Sequence, residues 1–68
     1  MDTIAGRLRT SRQTRGFRTV KEFATKNKIP LSTYYMHETG RRGLSIKVAK
    51  KYCSLLDLEL NWLLTGKT

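Results

Sequence analysis

The sequence has a single cysteine, Cys53, and no long hydrophobic run. One cysteine excludes a disulfide within the chain and a cysteine-rich metal site, so a reducing cytoplasm is the expected compartment. The chain has no run of about 18 apolar residues, and its N-terminus lacks the apolar core of a signal peptide. Neither membrane insertion nor secretion is therefore expected.

Acidic residues are also scarce, with 5 Asp and Glu against 14 Lys and Arg in 68 residues and a formal net charge of +9. Residues 1–51 hold 13 of the 14 basic residues, whereas residues 52–68 hold only one. A polyanion is the partner class that this balance favours. The asymmetry predicts a basic working region followed by an apolar end that packs or pairs.

The combinations of side chains that enzymes use are missing as well. No carboxylates are paired at helical spacing in a plausible cleft, no nucleophile has an adjacent base, and no glycine-rich phosphate loop follows a strand. His37 is the only histidine, and no nearby cysteine completes a metal-ligand set around it. We expect no enzymatic activity, no cofactor, no metal and no small-molecule ligand.

The chain length fits one domain, residues 1–68, and the apolar spacing is helical throughout. Thr3, Thr19 and Ser45 are candidate N-caps, and Glu22 completes a capping box with Thr19. Gly40 stands where a left-handed residue ends a helix. The pattern predicts an all-α bundle of five short helices, at residues 3–15, 19–27, 31–39, 45–56 and 60–65.

Residues 23–40 have the spacing of a helix-turn-helix, in which two short helices are joined by a tight turn. Ala24 supplies the small residue where the helices cross, Ile29 fills the turn, and Tyr34 is the inward anchor of the second helix. The opposite side of that helix is then free to face a groove, and it carries Ser32, Thr33, Tyr35 and Met36.

The order of these residues resembles the lambda-repressor-like (Cro/XRE) helix-turn-helix family from about residue 4 to residue 66. The resemblance is carried by Leu8 with Arg12, Glu22-Phe23-Ala24, Ile29-Pro30, Ser32-Thr33, Glu38-Thr39-Gly40-Arg41 and Asn61-Trp62-Leu63-Leu64-Thr65-Gly66. It implies a sequence-specific regulator of transcription that binds double-stranded DNA, as a phage or bacterial repressor does. It also implies a homodimer on a near-palindromic operator, with one helix of each copy in the major groove.

The resemblance also implies roles for individual residues. The base-facing positions are Leu31, Ser32, Tyr35 and Met36. The positions near the DNA backbone are Val20, Lys28, Thr33, Thr39, Arg41 and Arg42. A partly buried salt bridge joins Arg12 to Glu38, and the dimer contact falls on Leu58, Trp62 and Leu63. Other cations, among them Arg7, Arg9 and Arg15, remain open between phosphate contacts and plain solvated surface.

Two departures from the family pattern affect the predicted interface. Asn27 and Lys28 stand where an apolar residue and a glycine are common, which predicts a looser helix end or an extra phosphate contact. The base-facing set lacks the Gln, Asn, Arg and Lys side chains that bind adenine or guanine in bidentate fashion. Selectivity then rests on hydroxyl groups, on apolar contacts with thymine methyls, on Tyr35 and on DNA shape.

Several roles remain open at this point. The same domain occurs in DNA-binding antitoxins and restriction-modification controllers, and it can form the N-terminal part of a longer repressor. A protein-interaction or RNA-binding module is the alternative from another class. It is less favoured, because the sequence lacks the aromatic stacking platforms typical of single-strand binding.

Overall fold

In the computed structural model, which describes residues 3–67, these residues form five α-helices and no strand. The helices are α1 (Ile4–Thr14), α2 (Val20–Lys26), α3 (Leu31–Glu38), α4 (Ile46–Leu56) and α5 (Leu60–Thr65). The prediction of an all-α domain with five helices is confirmed. None of these helices combines the length and apolar character that crossing a membrane requires.

Side-chain caps explain where three of the helices begin. Thr3 and Ser45 accept hydrogen bonds from the backbone amides three residues later, at 2.9 and 3.2 Å, at the starts of α1 and α4. Thr19 and Glu22 form a complete capping box at the start of α2, with both hydrogen bonds at 3.1 Å. Each cap satisfies backbone donors that have no partner within the helix.

Left-handed residues mark several helix ends. Gly40 follows α3 with φ +80°. Within residues 3–67, two residues other than glycine also have positive φ: Lys28 (57°), between α2 and α3, and Asp57 (55°), at the end of α4. Side chains with a Cβ adopt this conformation at a cost, so the fold holds both residues there against their local preference.

The core has α3 at its centre. Tyr34 is fully buried between Phe23 of α2 and Tyr52 of α4, with ring centroids 4.8 and 5.3 Å away. The helix packs against α2 and α1, while α5 packs against α4 and α1. The buried apolar residues are Leu8, Phe23, Ala24, Ile29, Tyr34, Ala49, Tyr52, Cys53, Leu56 and Leu63. One core therefore fixes the inner face of α3.

The apolar C-terminal end is divided between core and surface. The structure corrects the prediction that Leu63 is a dimer contact, because its side chain is 0% exposed within this core. The side chain of Arg7 also donates a hydrogen bond to the carbonyl of Leu63 at 2.9 Å, so α5 is held against α1. Leu58 and Trp62 are partly buried and keep some surface open to solvent.

Candidate nucleic-acid interface

The turn between α2 and α3 holds the two helices against each other. Ala24 is 1% exposed and Ile29 is 7% exposed, and the amide of Ile29 donates to the carbonyl of Ala24 at 2.8 Å. The side-chain amide of Asn27 donates to the carbonyl of Phe23 at 2.9 Å. Asn27 therefore caps the end of α2.

The inner face of α3 ends in a charged network built around Glu38. Arg12 of α1 donates to both carboxylate oxygens, from Nε to Oε1 at 2.8 Å and from Nη2 to Oε2 at 3.1 Å. The phenol of Tyr34 donates to Oε1 at 2.7 Å. The remaining guanidinium nitrogen, Nη1, donates to the carbonyl of Phe17 at 2.6 Å. One arginine thus joins α1, the loop before α2 and α3.

The protonation of this network follows from its burial. The hydrogen bond to Glu38 is the main cause that raises the pKa of Arg12, so this guanidinium stays charged. Burial, followed by the hydrogen bond to Glu38, raises the pKa of the Tyr34 phenol far above its ordinary value. The phenol therefore keeps the proton that it donates, and α3 is held by a fixed pattern of donors and acceptors.

A second polar contact ties α3 to α4. His37 Nδ1 lies 2.7 Å from the hydroxyl of Tyr52, and both side chains are buried. Burial and then the nearby charge of Arg42 lower the pKa of His37, while burial raises the pKa of Tyr52 to about 12. Among residues 3–67, no group of three His, Cys, Asp or Glu side chains lies together as a metal site. The buried contact with Tyr52 makes His37 a packing residue between α3 and α4.

The outer face of α3 is open to solvent and uncharged. Leu31 is 47% exposed, Tyr35 is 49% exposed, and Ser32 is exposed. Met36 and Thr33 are partly buried. The four residues predicted to face bases thus all reach the solvent side of α3, which we call the outer face: Leu31, Ser32, Tyr35 and Met36.

The residues predicted near the DNA backbone surround the outer face. Lys28 is exposed in the turn before α3, and Arg41 and Arg42 are exposed in the loop after it. Thr39 is exposed, but its hydroxyl donates back to the carbonyl of Tyr35 at 2.9 Å. Cationic side chains therefore stand at both ends of an uncharged helix face.

A groove of about 510 Å³ lies beside the outer face, between α1, the start of α2 and the end of α3. It brings Val20 and Thr39 together with Tyr35, and Arg9 lines it as well. The sequence did not distinguish Arg9 from the other surface cations. The available signal was its spacing, because Arg9 lies one turn before Arg12 on the side of α1 that faces α3.

Two other arginines serve the fold instead. Besides the contact of Arg7 with α5, Arg15 donates from Nε to the carbonyl of Leu56 at 2.8 Å and from Nη2 to the carbonyl of Asp57 at 3.0 Å. These bonds satisfy carbonyl groups at the end of α4. The guanidinium groups of Arg7 and Arg15 are thus engaged away from the outer face.

Comparison with known proteins agrees with this geometry. Residues 5–68 match the sequence model of a family described as a helix-turn-helix domain. The resemblance stated from the sequence is thereby confirmed. No curated protein and no solved structure matches the chain.

Proposed function

This chain belongs to the helix-turn-helix domain family of the Cro/XRE type, and from that premise we propose that it is a sequence-specific repressor of transcription. Membership implies a DNA-binding regulator of transcription, and the family has no catalytic activity. The proposal adds that α3 enters the major groove of an operator and that occupancy of the operator blocks polymerase.

The observation that carries the proposal is the division of α3 into two faces. Tyr34, His37 and Glu38 anchor the inner face, so the outer face contributes little to the core and is free to meet a ligand. An α-helix with its side chains is about 10–12 Å in diameter. The major groove of B-DNA is about 12 Å wide, so α3 fits it.

The charge distribution also supports the placement of α3 in the major groove. With α3 in the groove, Lys28 and the pair Arg41 and Arg42 stand at opposite ends of the helix, where the phosphates of the two groove walls pass. Phosphate contacts hold the protein in register, while contacts with base edges select the sequence. Arg9, in the groove beside Tyr35, is a further candidate for a phosphate contact.

The proposal includes two copies on a near-palindromic operator. Leu58 and Trp62 keep part of their surface open at the C-terminal end, and Leu55 of α4 is 39% exposed close to them in sequence. A self-complementary contact through this apolar end gives the two-fold symmetry of an inverted repeat. The two copies of α3 then enter successive major grooves about 34 Å apart.

Selection of bound duplexes from a random pool tests the proposal. We expect enrichment of an inverted repeat whose half-site centres lie about 10 base pairs apart. We also expect a log–log slope of affinity against salt of about −5 to −10 for the bound dimer. A pool without enrichment, or a slope near zero, overturns the proposal.

Variants of the two arginines after α3 test the proposed phosphate contacts. Arg41→Ala and Arg42→Ala should weaken binding to specific and random duplexes alike, and each phosphate interaction that is removed should make the salt slope less steep by about one unit. Lys67→Ala is the matched control, because Lys67 is an exposed cation that lies after α5 and lines neither the outer face nor the groove beside it. Equal reductions of affinity in all three variants contradict the assigned phosphate contacts.

A further inference from the structure

The outer face of α3 carries no side chain that hydrogen-bonds a base edge in bidentate fashion. Within α3, the two longer polar side chains are those of His37 and Glu38, and they are only 6% and 8% exposed. Both are also engaged in the hydrogen bonds that hold the helix in place. The amide and guanidinium groups that normally distinguish adenine and guanine are absent from this helix.

The remaining surface of the outer face is mostly apolar. Leu31 and Tyr35 lie four residues apart, so they are neighbours on one side of the helix, and each exposes about half of its area. Met36 borders them. The hydroxyl of Ser32 can donate or accept and therefore fits any base pair. The side chains with chemical preference are thus the apolar ones on the two sides of Ser32, which we call the apolar strip: Leu31, Tyr35 and Met36.

The major groove offers one apolar group to such a strip, the methyl group on C5 of thymine. Resting on the proposed function, we infer that α3 selects its site through C5-methyl groups of pyrimidines. The same chemistry makes 5-methylcytosine equivalent to thymine at these positions, since both present the methyl at the same place. Purine hydrogen bonds carry little of the selectivity.

The surroundings of the strip favour DNA over an apolar protein surface as its ligand. Lys28 and Arg42 stand exposed at the two ends of the helix, and the formal net charge of the chain is +9. A partner that covers the strip must also accept these charges. Duplex DNA does so with phosphates, while its groove floor presents the methyl groups.

The test uses a duplex enriched from a random pool, prepared in three forms. In the first, thymines are replaced by uracil, one at a time and all together, which removes only the methyl groups. In the second and third, each T·A pair at which uracil lowers the affinity is replaced by a C·G pair. The cytosine is unmodified in the second form and 5-methylated in the third. Equilibrium binding is measured for each form at one fixed salt concentration.

We expect a loss of about fourfold in affinity for each contacted methyl that uracil removes, the factor that corresponds to burial of one methyl group. The 5-methylcytosine duplex should bind better than the unmodified C·G duplex by a similar factor. A fully uracil-substituted duplex that binds as tightly as the thymine duplex overturns the inference. Equal binding of the two C·G duplexes overturns it as well.

Two variants test whether the apolar strip causes the loss of affinity on uracil substitution. Leu31→Ala shortens an exposed side chain, so the fold should persist, which a melting curve checks. We expect it to abolish the uracil penalty at one or more positions, whereas Ser32→Ala should keep every penalty. An enriched duplex without methyl dependence overturns this inference and leaves the proposed function standing. Failure to enrich any duplex overturns both.

Discussion

Arg12 and Glu38 lie 26 positions apart in the chain and meet in a buried, two-pronged ion pair at 2.8 and 3.1 Å. The two residues are only 3% and 8% exposed. The carboxylate also accepts from Tyr34, and the guanidinium also donates to the carbonyl of Phe17. The pair therefore fixes the orientation of α3 relative to α1, and with it the direction in which the outer face points.

Removing one partner of this pair should strand the other charge in the core. We expect Arg12→Ala to lower the free energy of unfolding by about 3–5 kcal/mol, measured by urea denaturation. Arg9→Ala is the control, because Arg9 lies on the same helix but is exposed. It should change the free energy of unfolding by less than about 0.5 kcal/mol. Equal stability of the two variants contradicts a structural role for the pair.

Acid should destabilise the domain through His37. Burial and then Arg42 lower the pKa of His37 below its ordinary value of 6.5, so the folded state binds a proton less readily than the unfolded chain does. The contribution of His37 to the free energy of unfolding is therefore at its full value above pH 6.5. It decreases as the pH falls toward the folded-state pKa. Denaturation curves measured between pH 7.5 and pH 5 check the decline.

The variant His37→Gln isolates the contribution of the imidazole, because glutamine does not titrate. Its free energy of unfolding should fall less than that of the parent chain over the same pH interval. Parallel curves for the two proteins show that other groups cause the acid sensitivity and contradict the prediction.

The end of α3 depends on Gly40, whose φ is +80°. Because a Cβ makes this conformation unfavourable, Gly40→Ala should lower the free energy of unfolding by about 1–2 kcal/mol. Gly43→Ala is the matched control in the same loop, since Gly43 lies outside the positive-φ region and has open space around it. Thermal denaturation of both variants checks the difference, and equal midpoints contradict the role of the left-handed end.

Much of this fold was predictable from the sequence because its signals are local. Thr3, Thr19 and Ser45 each cap a helix through an amide three residues away, and such spacing is visible in any single chain. The inward position of Tyr34 was predictable for the same reason, since it follows from helical spacing within one short segment.

Contacts between distant segments were harder to predict. Arg7 and Arg15 donate to backbone carbonyls 56 and 41 positions away, and a carbonyl leaves no signature in the residue types. The orientation of α5 was also uncertain, because six residues give too short a pattern to separate Leu63, which is buried, from Trp62, which is partly exposed. The distinction depends on how α5 packs against α1 and α4.

Substitution of Lys28 should raise the stability of the domain and lower its affinity for DNA. Its φ of 57° is unfavourable for a lysine, so Lys28→Gly should raise the free energy of unfolding by about 1 kcal/mol. The same change removes an exposed cation at one end of the outer face, so affinity for DNA should fall. Melting curves and duplex titrations on one variant measure both effects.

A second variant serves as the control for Lys28. Asparagine tolerates the left-handed conformation and is uncharged, so Lys28→Asn should also raise stability while weakening DNA binding. If both variants lose stability, the left-handed conformation of Lys28 is not a cost to the fold. If both keep their full DNA affinity, Lys28 makes no phosphate contact.

The two-faced character of α3 has a consequence for how new specificity can arise. Tyr34, His37 and Glu38 hold the helix, whereas Leu31 and Ser32 contribute little to the interior. The exposed positions can therefore be exchanged with little change in folding, so under the proposed function mutation or design can redirect the domain to different target sequences. The buried side chains that hold α3 stay the same while the exposed side chains change.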